Sequence, residues 1–310
     1  MRKLTILTLA VLLTAGIAFA GGGAEGEEME GPVFGITIST LNNPFFVTLR
    51  EGAEAQAEEM GVNLVVLDSQ NDSATEASNI EDLIQRGVDA LLINPTDADA
   101  VTPSVIKAND AGIPVFTIDR SSGGGEVVAH IASDNVEGGR ISGRYIAEEL
   151  GRSGNVVELE GIPGTSAARE RGQGFNEIMD QHGDLEVIAR QTANFNRTEG
   201  LNVFQNILQA NQNIDATFAH NDEMVLGAIQ AAEQAGRAGD ILFVGFDAID
   251  DAIAAVDDGR LAATVAQQPA QIGSLGVETA YNHAVDGQSV DEFIPVPLAL
   301  VTQDNVGDFQ

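Results

Sequence analysis

The strongest constraint on this chain is an alternation: from Val33 onward, ten short runs rich in β-branched and aliphatic residues are separated by segments of helix length. Strands with a helix between each pair are not joined by tight hairpins, so they form parallel sheets covered by helices on both faces. The runs fall at residues 35–40, 63–69, 89–95, 113–119, 127–133, 155–161, 184–190, 216–222, 241–247 and 261–267. Between the first two, Phe46, Leu49, Ala53, Ala57 and Met60 recur at spacings of three and four, which gives a helix one buried stripe, and Gly61 stops it. The same logic places helices near 76–86, 99–110, 135–150, 166–181, 198–210, 223–235, 249–257 and 269–285. The fold class is therefore α/β, doubly wound and Rossmann-like.

In open α/β sheets, ligands bind beyond the carboxyl ends of the strands, so the ends of these runs carry the functional information. Ser39, Asn94, Asp119, Asn221, Asp247 and Gln267 each follow an apolar strand body. Six hydrogen-bonding side chains with no Lys among them suit a neutral ligand rich in hydroxyls, because carboxylates accept while Asn and Gln both accept and donate. Aromatic residues make up only 5% of the chain, yet several stand beside these ends. Phe45 and Phe46 follow Asn42-Asn43-Pro44, Phe195 lies between Asn194 and Asn196, and Phe246 precedes Asp247. Flat rings against the C–H faces of a sugar, with polar groups around its rim, match both aspects of such a ligand. The Phe45 and Phe46 pair is expected to split, one ring inward and one toward the ligand. Phe175, Phe204, Phe218 and Phe243 read as ordinary core.

The amino end places the compartment. Arg2 and Lys3 precede an apolar run from Leu4 to Ala20 that closes on Ala18-Phe19-Ala20, the pattern of a secretory signal peptide over residues 1–20. Residues 21–32 are Gly-rich and acidic and read as a flexible leader. Roughly 290 residues remain after the signal, enough for one large or two medium domains. No Cys is present, which removes a lipid-anchored Cys, a disulfide framework and a thiolate metal site; neither metal nor cofactor is expected. No later run is long and apolar enough to span a membrane, so the mature protein is expected to be a free periplasmic monomer. The chain carries 47 acidic against 15 basic side chains, a net charge of −32, which would repel phosphate backbones and argues against nucleic-acid partners. The same excess keeps a protein hydrated in brine and points to a saline habitat.

Eight segments in order carry a resemblance: STLNNPFF at 39–46, NLVVLDSQN at 63–71, LLINPTDADAV at 91–101, HIASDN at 130–135, GTSAARERG at 164–172, HNDEM at 220–224, VGFD at 244–247 and LAATVAQ at 261–267. From about Val33 to about Val301 the chain resembles the bacterial ribose-binding proteins, type I periplasmic binding proteins that serve ABC sugar importers. The resemblance implies two similar domains joined by three hinge crossovers near Ser133-Asp134, Gln267-Gln268 and Pro295-Pro297. The first domain would comprise 33–133 plus 268–296, the second 134–267 plus 297–310. D-ribose would lie in the cleft, lined by Ser39, Asn43, Phe45, Phe46, Asn94, Asp119 and Arg120 from the first domain. Arg171, Phe195, Asn221, Phe246, Asp247 and Gln267 would line it from the second. Asn43, Arg120 and Arg171 rest on the resemblance alone. His220 stands where the family usually has Gln, and is expected to be a neutral, packed His. The implied partners are the membrane subunits of an ABC permease, with a chemoreceptor as a further reader of the closed form. Relatives of this architecture also bind allose, galactose, xylose, inositol or autoinducer-2, so another monosaccharide or small polyol is the alternative ligand. The absence of Trp argues against an indole-stacked hexose.

Two other classes fit less well. Asp119 and Asp247 could be read as glycosidase carboxylates, but each comes with donors suited to a binding acceptor. Gly164-Thr165-Ser166-Ala167-Ala168 lacks the second Gly of a nucleophile elbow, and no Walker or G-x-G-x-x-G phosphate loop follows a strand. The chain is therefore not expected to be an enzyme. A sugar-responsive repressor would need a basic helix-turn-helix where this chain has a signal peptide and an acidic leader.

Overall fold

Each of the ten runs overlaps a strand; of the six strands behind the polar ends, four stop just before the polar residue, one ends two residues before Asn221, and one runs through to Asp247 itself. The computed structural model describes residues 31–310; the signal peptide and most of the acidic leader lie outside the described residues. Strands β1 (Val33–Ile38), β2 (Asn63–Asp68), β3 (Ala90–Ile93), β4 (Val115–Ile118) and β5 (Ala129–Ala132) form one sheet with β11 (Phe293–Pro295), in the order β11-β5-β4-β3-β1-β2. Strands β6 (Gly154–Glu160), β7 (Leu185–Thr192), β8 (Ala216–Ala219), β9 (Leu242–Asp247) and β10 (Ala263–Ala266) form a second with β12 (Ala299–Thr302), in the order β12-β10-β9-β8-β6-β7. Both sheets thus repeat one doubly wound pattern. In each, the direction of winding reverses beside the first strand, between β1 and β3 and between β6 and β8, where such folds open a crevice.

Two strands were not legible in the alternation. β11 and β12 are edge strands of three and four residues set around Pro295 and Pro297, too short to show a period, and Pro is confined to such edges. β12 also pairs antiparallel with β10, which corrects the expectation of wholly parallel sheets.

Among the described residues all the expected helices are present: α1 (Pro44–Met60), α2 (Ser73–Arg86), α3 (Thr102–Asp110), α4 (Asn135–Glu149), α5 (Ser166–Met179), α6 (Arg197–Ala210), α7 (Asp222–Gln234), α8 (Asp250–Asp257) and α9 (Pro269–Ala284). Central strands β3, β4, β8 and β10 are buried along their whole length, as strands covered on both faces must be. Phe175, Phe204, Phe218 and Phe243 are core residues.

The chain passes between the sheets three times: after β5, after β10, and between β11 and β12. Helix α9 therefore returns to the first sheet and packs on α1, while α4 has already joined α5 beside the second. The α4–α5 contact is backbone on backbone. A Cβ at Gly139 would lie 2.1 Å from the Arg171 carbonyl oxygen, and one at Gly174 would lie 1.8 Å from that of Val136. No side chain fits at either position, and this close approach fixes the height of Arg171 on its helix.

Candidate binding site

The carboxyl ends of the two sheets face one another across a small cavity. Asn43, Phe45, Phe46, Asp119 and Arg120 line it from the first lobe; Ala167, Arg171, Phe195, Asn221 and Asp247 line it from the second. Its wall combines three aromatic rings with two acids, two guanidinium groups and two amides. The lobes are in contact around it: the Ala98 amide donates to the Gly164 carbonyl at 3.0 Å, and the Ser121 amide to Ser166 Oγ at 2.9 Å.

Local structure aims each group. Asn43 caps α1, its Oδ1 accepting from the Phe45 amide at 2.9 Å, and Pro44 follows at the first helical position, so Phe45 and Phe46 project from the first turn. Both rings line the cavity, edge to face at 5.2 Å, so the expected division, one ring inward and one toward the ligand, does not occur. Asn221 caps α7 in the same way, accepting from Met224 at 3.0 Å.

Each lobe contributes one acid and one base. Asp119 follows β4 in the left-handed region, φ 61°, and sits 3.7 Å from Arg120 Nε. Asp247 ends β9 with φ 119°, and its Oδ1 lies 3.5 Å from Arg171 Nη1. An amide from the adjacent strand end orients each carboxylate: Asn94 Nδ2 donates to Asp119 Oδ2 at 3.1 Å, and Gln267 Nε2 to Asp247 Oδ1 at 2.9 Å. Asp119 Oδ1 and Arg120 Nε, both on cavity-lining side chains, are buried without a hydrogen-bond partner in the protein. Buried polar atoms are rarely left unmatched, so the first lobe keeps one acceptor and one donor for a ligand that offers both.

Residues 34–289 match the model of the periplasmic binding protein domain. The chain belongs to that family. It is 51% identical over 303 residues to the ribose import binding protein of Escherichia coli, with 98% of this chain and 99% of that one covered. Identity to the ribose import binding protein of Bacillus subtilis is also 51%, over 269 residues and 87% of each chain. Among solved structures, an ABC transporter solute binding protein from Bacillus halodurans with bound myo-inositol superposes with a TM-score of 0.86 at 33% identity, covering 92% of this chain and 99% of that one.

In this periplasmic binding protein, nine of the thirteen residues expected at the site line the cavity directly. The other four support it. Ser39 donates its amide to Asn94 Oδ1 at 3.1 Å, and Asn94 in turn holds Asp119. The Phe246 ring lies 3.8 Å beneath the Arg171 guanidinium, a cation–π contact in a dry setting. Gln267 holds Asp247 and borders an adjoining groove with Pro44, Phe45 and Thr48.

Several residues that shape the site escaped the sequence reading. Ala167 lines the cavity one turn before Arg171 on α5, and its only signal is that spacing. Asn135 Oδ1 accepts from Arg171 Nε at 2.9 Å, while the His220 carbonyl accepts from Arg171 Nη1 at 2.7 Å. Asp222, fully buried at the start of α7, accepts from the Ile249 amide at 3.0 Å and from Thr264 Oγ1 at 2.8 Å, which pins the turn that presents Asp247. Its clue was adjacency to Asn221 in HNDEM.

Burial dominates the electrostatics. It raises the Asp247 carboxyl to about 7, against the opposing pull of Arg171 and the Gln267 hydrogen bond. Asp222 is pushed well above the usual carboxylate range by its own burial and by the charge of Asp247. Arg120 is pulled below its usual range by burial, with Asp119 opposing.

Proposed function

We propose that this protein is the exported substrate-binding component of an ABC importer, and that it closes on one molecule of D-ribose and delivers it to the membrane permease. The observation that carries the reading is the composition of the cavity wall. Three Phe rings and four charged side chains, one acid and one base from each lobe, surround one small cavity. Carboxylates accept from sugar hydroxyls, guanidinium groups donate to them, and the rings cover the C–H faces. The ribose import binding proteins at about half identity support the choice of sugar.

The three crossings between the sheets support a hinged domain motion. Residues 33–133 plus 268–296 move against 134–267 plus 297–310 about the three crossings between the sheets, and closure brings the two halves of the wall together. The closed outline is what the permease reads. Delivery outside the cytoplasm rests on the signal-like residues 1–20 and on the family. Binding, not turnover, is the activity, as in the substrate-binding proteins of ABC transport to which the chain is similar.

Solved neighbours with bound myo-inositol and D-allose make a different small polyol the second reading. Calorimetric titration of the purified protein against D-ribose, D-allose, D-galactose, D-xylose and myo-inositol decides between them. Ribose is expected to bind most tightly with one site per chain. Absence of heat with ribose beside tight binding of another member would overturn the assignment.

A further inference from the structure

We propose that Gly161, held in place by His220, is a specificity-determining residue: it sets the position of the Phe195 ring and thereby which sugars the cavity admits. The inference rests on the sugar-binding reading of the cavity and names a residue outside its lining.

Phe195 sits in the turn between β7 and α6. It and Asn194 both adopt left-handed backbone, φ 56° and 51°, a conformation that bulky residues rarely enter. Surrounding hydrogen bonds hold them there. The Ala193 amide donates to the Glu160 carbonyl at 2.8 Å, Asn194 Nδ2 to Glu199 Oε2 at 2.7 Å, and the Asn196 amide to the Ala193 carbonyl at 3.0 Å. With its backbone clamped, the ring is placed by what it touches.

Arg120 and Arg171 lie 5.3 and 5.9 Å from the ring centroid, and Gly161 closes the remaining side. A Cβ on Gly161 would lie 2.0 Å from Cζ of the ring, 2.3 Å from Cε1 and 2.4 Å from Cε2. Carbon atoms pack at ~3.5–4.0 Å, so the ring fits only because that Cβ is missing. The backbone itself does not call for glycine, since Gly161 is outside the left-handed region. The ring is also a partition: it borders both the cavity and an outer groove lined by Thr40, Asn71, Ile162 and Asn194. Moving it changes the size and the seal of the space behind it.

Gly161 is gripped from both ends. Its carbonyl accepts from Thr192 Oγ1 at 2.7 Å, and its amide donates to His220 Nδ1 at 3.3 Å. Because Nδ1 accepts, the proton of the neutral ring is on Nε2, which lies 3.0 Å from Glu158 Oε1. The His220 side chain, buried and absent from the cavity lining, thus acts on the ligand through Gly161 and is a positioning group, while its backbone carbonyl holds Arg171.

Calorimetry on Gly161→Ala, with D-ribose and with D-allose, which keeps the hydroxyl pattern of ribose and adds a hydroxymethyl group, tests the idea. The expected result is at least a tenfold rise in Kd for ribose and a change of fivefold or more in the ribose-to-allose ratio, while the melting midpoint of the ligand-free protein moves little. In a double-mutant cycle with Phe195→Leu, the two losses are expected not to multiply, because both act through one ring. Unchanged Kd and ratio, or losses that multiply, would overturn the proposal. Should Gly161→Ala not fold, His220→Leu provides the second arm: it is expected to weaken binding, and His220→Gln, which restores an acceptor, to recover most of the loss. Equal behaviour of the two His220 variants would count against the proposal. If the wild type binds a panel member other than ribose, the ribose assignment fails, and the Gly161 test proceeds with the sugar that binds.

Discussion

At the scale of single residues, the four charged side chains of the cavity are held by partners that leave them little freedom. Arg171 is bonded to Asn135 and to the His220 carbonyl, stacked on Phe246 and paired with Asp247. Asp119 is oriented by Asn94 and paired with Arg120. Removing one member strands the others in a dry site, so Asp119→Ala or Arg171→Ala is expected to weaken ribose binding by about 2–5 kcal/mol in calorimetry, with much of that loss being the cost of the unpaired neighbour. Unchanged affinity in both variants would remove these residues from the site. A pH dependence follows from Asp247. With its carboxyl raised to about 7, it is ionised and able to accept from a sugar hydroxyl above that pH, and it loses this acceptor as it takes a proton below it. Titrations from about pH 8 down to about pH 5.5 should therefore show affinity falling through the region of this pKa, and Asp247→Asn should flatten the profile.

At the scale of elements, the α4–α5 crossing carries more of the site than its distance from the cavity suggests. Gly139 meets the Arg171 carbonyl so closely that Gly139→Ala must push the helices apart, and overpacking of this kind typically costs about 1–3 kcal/mol. Chemical denaturation should register that loss, and calorimetry should show weaker ribose binding because Arg171 moves with its helix. Most of this architecture was legible in the sequence. Helix α1 announced itself through an apolar stripe and Gly61 at its end; the central strands did so through unbroken aliphatic runs. What stayed hidden lacked a periodic or strand-end signal. β11 and β12 are too short and Pro-flanked, and Ala167 is one alanine among several. The role of Asn135 in holding Arg171 depends on two helices meeting, 36 residues apart in sequence. Strand ends pointed to six polar residues of the site, whereas the two Arg residues needed family resemblance, because neither ends an apolar run.

At the scale of the whole molecule, two charge patterns coexist. Inside, each lobe brings an acid and a base to the cleft, so closure buries no excess of either sign from these four groups. Outside, a net charge of −32 is spread over a chain with 15 basic side chains, and self-repulsion opposes the compact state. Salt screens such exposed charges, with a Debye length of about 3 Å at 1 M. The melting midpoint is therefore expected to rise as NaCl or KCl is taken from low to molar concentration, and a flat or falling midpoint would argue against adaptation to brine. The three crossings have a further consequence for how the protein is made. Because α9 and β11 complete the first lobe from the far end of the chain, that lobe has no helix to cover one face of α1, and no partner for the free edge of β5, until almost the entire polypeptide has been synthesised. A nascent chain built this way finishes the core strands of both lobes before α9 can cover α1, so the first lobe's full set of contacts forms only near the end of synthesis.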